Sequence, residues 1–94
     1  MVTDTNADQS RFYSLLSQYP RISVFWDQPE GECKTEALQT AMTRMSHSEA
    51  VLAKFFMSVW SACNADFDVV EAAGILDKKE RLMVANWLAD PFWP

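Results

Sequence analysis

Apolar residues recur at three- and four-residue intervals through most of this chain, and the strongest such run lies at its centre. Over 46–63, SHSEAVLAKFFMSVWSAC, the residues Val51, Leu52, Phe55, Phe56, Val59, Trp60 and Cys63 fall on one wide helical stripe. Ala50, Ala53 and Met57 widen it, leaving Lys54, Ser58 and Ser61 as a narrow polar line. A helix so apolar belongs inside a fold, covered from several sides. Ser46 and Glu49 have capping-box spacing, which satisfies backbone N–H groups that a helix start otherwise leaves unpaired. The run is too short and too interrupted by Lys54 to span a membrane, which takes about 20 apolar residues.

The same periodicity places the other elements. Residues 1–6 read as a frayed tail. Asp8 can cap a helix to about residue 18, with Phe12, Leu15, Leu16 and Tyr19 on one face, and Pro20 stops it. Next comes the strand-like run Ile22, Ser23, Val24, Phe25 and Trp26, closed by a Pro-Gly loop. With no second strand to pair with, it reads as an extended loop, or as a strand that pairs with another chain. A helix is expected at about 34–45 from Ala37, Leu38, Ala41, Met42 and Met45. Asp66 or Asp68 can cap a short helix through Val69, Val70, Ala72 and Ala73, with Gly74 closing it in a left-handed conformation. Asp77 and Glu80 form a second capping-box-like pair opening a last helix that carries Leu82, Met83, Val84, Trp87 and Leu88. The expected fold is therefore all-α: a single domain over 7–94, a compact bundle of about four to five short helices around a central helix at about 47–63, with one extended loop at about 21–32.

Composition supports this. At 94 residues there is room for one core, and with 49% hydrophobic residues there is material to build it. Two glycines and few β-branched residues favour helices over a turn-rich sandwich. The net charge of −5 argues against plain binding to nucleic acid or anionic lipid, and it suits a basic partner. Residues 1–10, MVTDTNADQS, have neither the basic start nor the apolar run of a secretion signal, so a cytoplasmic location with reduced Cys33 and Cys63 is expected. Cys63 reads as a small core residue and Cys33 as a loop thiol open to reagent.

No catalytic constellation emerges. His47 is the single histidine, and its neighbours Ser46, Ser48 and Glu49 share one helix turn, where adjacent residues do not face one another. One His and two separated Cys lack zinc-site spacing. Asp66, Asp68 and Glu71 lack the other ligands and the central Gly of a calcium loop. Residues 69–88 can be drawn as helix-turn-helix, but the basic set is only Lys78, Lys79 and Arg81, interrupted by Glu80. The sequence thus points to a non-catalytic protein-binding module, an adaptor or regulator, with no cofactor and no metal. The partner is another protein, a basic one included, or a second copy of the chain. The alternative is an acidic inhibitor or nucleic-acid mimic that occupies a basic enzyme site. Candidate contact residues are Phe25, Trp26 and Asp27 in the extended run, with an acidic rim of Glu30 and Glu32, and Phe92 and Trp93 in the C-terminal Pro-Phe-Trp-Pro. The tail can equally be a clamp that folds back over the core, and Phe25 and Trp26 can equally cap the bundle. At least three of Phe55, Phe56, Val59 and Trp60 should be buried, and one of Phe25 and Trp26 exposed.

Overall fold

The computed structural model describes residues 3–94; Met1 and Val2, part of the expected tail, lie outside them. Among the described residues there are six helices and one small hairpin, a mostly helical bundle. They run α1 (Thr3–Leu16), α2 (Pro20–Ser23), β1 (Trp26–Asp27), β2 (Glu32–Cys33), α3 (Thr35–Met42), α4 (His47–Ser61), α5 (Val69–Ile75) and α6 (Lys78–Ala89).

Helix α4 is the centre. Val51, Leu52, Ala53, Phe55, Phe56, Met57 and Val59 are all buried along it. The capping box forms, with Glu49 N–H donating to Ser46 Oγ at 3.2 Å and Ser46 N–H to Glu49 Oε1 at 3.3 Å. Trp60 is half-buried and meets Phe12 of α1 at 5.5 Å between ring centroids. Phe12 and Leu16 bring the buried face of α1 onto α4.

Helix α1 begins at Thr3, so residues 3–6 are helical and not a tail, and Asp8 is no cap. Asp8 instead accepts the Trp93 N–H through Oδ2 at 3.3 Å. Pro20 ends α1 as expected, with Tyr19 pushed to φ −126°, and then opens α2, where its missing N–H costs nothing.

The expected extended loop at 21–32 is a helical turn followed by a hairpin. Ile22 and Ser23 lie in α2, and only Trp26 and Asp27 are extended. Their strand partner is internal: Trp26 pairs with Cys33 and Asp27 with Glu32, antiparallel. The sequence hid that partner because each strand is two residues long, below any readable alternation. Gly31 makes the turn at φ +65°, and Asp27 Oδ1 accepts the Glu30 N–H at 3.2 Å.

Two other expected caps change role. Gly74 lies inside α5 and is not left-handed; α5 ends where Leu76 turns extended. Asp77 makes no side-chain cap bond at the start of α6. Its expected partner Glu80 is taken by Tyr19, whose hydroxyl donates to Glu80 Oε2 at 2.8 Å. Asp68 does cap α5, accepting from Val70 N–H at 2.8 Å and Glu71 N–H at 3.1 Å.

Helix α4 stops at Ser61, and Ala62 turns left-handed at φ 53°. That turn carries Cys63 off the apolar stripe, so Cys63 is exposed and not in the core. The Cys63 N–H reaches back to Ser58 O at 3.2 Å, closing the helix end as a left-handed cap does.

Candidate functional site

The two proposed contact segments part company in the fold. Trp26 is only 8% exposed. Its ring lies against Phe12 at 5.8 Å and Trp60 at 6.2 Å, so it is a core residue and not an exposed anchor. The hairpin causes this, because pairing with Cys33 aims Trp26 inward. Phe25 is half-buried against the same core, and Asp27 is occupied by its own turn. The expectation of an exposed aromatic centre at 22–29 is thereby corrected: Phe25 and Trp26 cap the bundle.

The tail is clamped at one residue and open at the next. Phe92 is buried, its carbonyl accepting Trp87 Nε1–H at 3.0 Å, and the Arg11 guanidinium sits 4.5 Å above its ring. Arg11 also pairs with Asp90 at 3.3 Å, which ties α1 to the end of α6. Trp93 stays 51% exposed, edge-on to Trp87 at 5.1 Å.

Trp93 does not stand alone. It lines an apolar cavity of about 310 Å³ with Phe67, Val69, Val84, Trp87 and Leu88. A second cavity of about 120 Å³ between α5 and α6 shares Val69, Val84 and Leu88 with the first. The shared residues make one continuous floor running from the end of α4, between α5 and α6, to the tail. On it Val69 is 54% and Leu88 57% exposed. Large apolar side chains left half in water on adjoining elements are the mark of a contact surface, whereas single exposed ones are ordinary. The sequence pattern reads Val69 and Leu88 as apolar helix positions and not as contact residues. The signal was there in α6: Leu82, Met83, Val84, Trp87 and Leu88 span more of the helix than one core-facing stripe, and of these only Val84 is fully buried.

A wider cleft of about 520 Å³ lies between α1 and α6, floored by Leu15, Tyr19, Met83, Trp87 and Phe92. Its cations are engaged: Arg11 with Asp90, and Lys79 over the Tyr19 ring at 5.8 Å. Burial, with the bond to Glu80 second, pushes the Tyr19 hydroxyl well above its ordinary pKa, so it serves as a neutral donor.

The remaining reactive side chains are dispersed. His47 Nε2 lies 2.8 Å from Glu71 Oε2, an exposed link from α4 to α5. Burial pushes the Cys33 thiol pKa up. Among the described residues, no three His, Cys, Asp or Glu side chains gather as metal ligands would. The basic set of the helix-turn-helix drawing is partly folded back, with Arg81 Nη1 donating to Leu76 O at 2.7 Å. No helix among the described residues is long and apolar enough to cross a membrane. No protein-family model, curated protein or solved structure matches the chain.

Proposed function

We propose that this is a small non-catalytic protein-binding module, an adaptor or regulator acting in the cytoplasm, and that it acts through the α5–α6–tail face. One observation carries the reading: Val69, Leu88 and Trp93, on three different segments, are each about half exposed on one apolar floor. An apolar centre with polar surroundings is the usual anatomy of a protein contact, and Trp is the residue type most often found as its anchor. The test is affinity capture from extracts of the source cells. Recovery of a partner should fall sharply with Leu88→Ser or Trp93→Ala. It should be unchanged with Val24→Ser, since Val24 is exposed but lies outside the floor. Equal recovery by all of these variants would remove the face from the reading.

A second reading, the acidic inhibitor or nucleic-acid mimic, is favoured by a different feature. Glu30, Glu32 and Glu36 are exposed around the hairpin and the start of α3, and among the described residues none of them forms an ion pair. Under that reading the captured protein is a nucleic-acid enzyme released by moderate salt, and Leu88→Ser has no effect.

A further inference from the structure

We propose that the occupant of the α5–α6 face is a basic amphipathic helix, with apolar anchors at helical spacing flanked by Lys or Arg. This rests on the protein-binding reading above and adds the chemistry of the partner. The floor is a groove between helices, joined from two cavities through Val69, Val84 and Leu88. Such grooves take the apolar stripe of a helix, with anchors at i, i+3, i+4 and i+7. A strand would need a free sheet edge, and the hairpin here offers two residues per strand, away from these elements.

Charge selects the helix. Residues 64–77 carry Asp66, Asp68, Glu71 and Asp77 and no Lys or Arg. Asp66, Asp68 and Asp77 are exposed and, among the described residues, in no ion pair; Glu71 faces His47. Arg81, the cation that lines the groove, keeps its charge while donating to Leu76 O, and it lies on the α6 side, whereas Asp66 and Asp68 flank Val69 on the other. The edge beside Val69 is thus acidic. Apolar contact supplies the attraction, and the carboxylates favour flanking cations and oppose flanking anions. A second copy of this chain is a poor occupant, because its own net charge is −5 and it would bring the same carboxylates to the contact.

The full chain is titrated at low salt with a synthetic peptide about 15 residues long, leucines at helical spacing and lysines on the flanks, long enough to form a helix on binding. A matched peptide carries Glu in place of each Lys. Saturable binding of the Lys peptide is expected, about tenfold or more tighter than the Glu peptide. Backbone amide shifts should concentrate in 64–94. Leu88→Ser and Val69→Ser, each with wild-type circular dichroism, should weaken binding alike. No saturable binding of the Lys peptide, equal binding of the two peptides, or shifts centred on the α1–α6 cleft would overturn the inference. So would a concentration-dependent dimer abolished by Leu88→Ser, because the occupant would then be a second copy. If a partner is captured through Leu88 while the Lys peptide does not bind, the inference falls and the protein-binding face stands. If capture ignores Leu88, the face itself falls.

Discussion

Two tryptophans with similar sequence surroundings, each beside a phenylalanine and near a proline, take opposite places, and single substitutions separate them. Trp26 is packed among Phe12 and Trp60, so Trp26→Ala should cost about 3–5 kcal/mol, a large share of a small domain's stability. Trp26→Phe should cost less, because the buried indole N–H has no hydrogen-bond partner among the described residues and none is lost. Trp93→Ala removes one edge-on contact with Trp87 and a ring only about half covered, so it should cost clearly less than Trp26→Ala. Denaturant melts of the three variants check this ordering. Phe56→Ala, fully buried on α4, belongs with Trp26→Ala.

The thiols reverse the order expected from the sequence. Cys63 is exposed, whereas Cys33 is half-buried with its thiol pKa raised by burial, which leaves less thiolate. In native thiol titration the fast phase should belong to Cys63 and vanish in Cys63→Ser. A fast phase that survives in that variant would place Cys63 back under cover. Tyr19 sets a pH dependence. Its pKa is higher folded than unfolded, so its contribution to stability is whole below the ordinary tyrosine value of about 10 and is lost as pH rises above it. Tyr13, raised by burial and then by Asp27, acts with the same sign. The melting temperature should therefore fall as pH rises above about 10, and fall less steeply in Tyr19→Phe. A slope unchanged in that variant would contradict the role given to the Tyr19–Glu80 bond.

At the scale of elements, the periodic segments were legible and the two-residue ones were not. The stripe on α4 as far as Trp60 and its capping box are local signals, and both form as read. The hairpin depends on a non-local pairing of Trp26 with Cys33, which no local pattern announces. Cys63 was misplaced because its spacing from Val59 counts only while the helix continues, and it stops two residues earlier. Asp77 lost its capping partner to Tyr19, 61 positions from Glu80, a competition invisible along the chain. The candidate site was half legible. Trp93 stood out as an aromatic beside prolines, but Val69 and Leu88 read as ordinary core positions, because sequence pattern marks which residues are apolar and not which of them are covered. Cap substitutions test these assignments together. Ser46→Ala and Asp68→Ala should each cost about 1 kcal/mol, since each removes an observed side-chain bond to backbone N–H groups. Asp77→Ala should cost clearly less, having no such bond to lose. Equal losses from all three would mean that Asp77 caps α6 in solution.

For the whole molecule, the division is between a core gathered on α4 and an apolar face left over on α5, α6 and the tail. The core is closed at its ends by Trp26 from the hairpin and Phe92 from the tail, so the aromatic segments on either side of the bundle serve packing first. On that face Val69, Leu88 and Trp93 stay about half exposed, beside an acidic stretch. Hydrogen exchange by mass spectrometry on the protein alone and bound to its captured partner tests this division most directly. Protection on binding is expected in 69–75 and 84–94, with exchange in 22–33 unchanged. Protection confined to 22–33, with none in α5, α6 or the tail, would contradict the assignment and return the interaction surface to the hairpin.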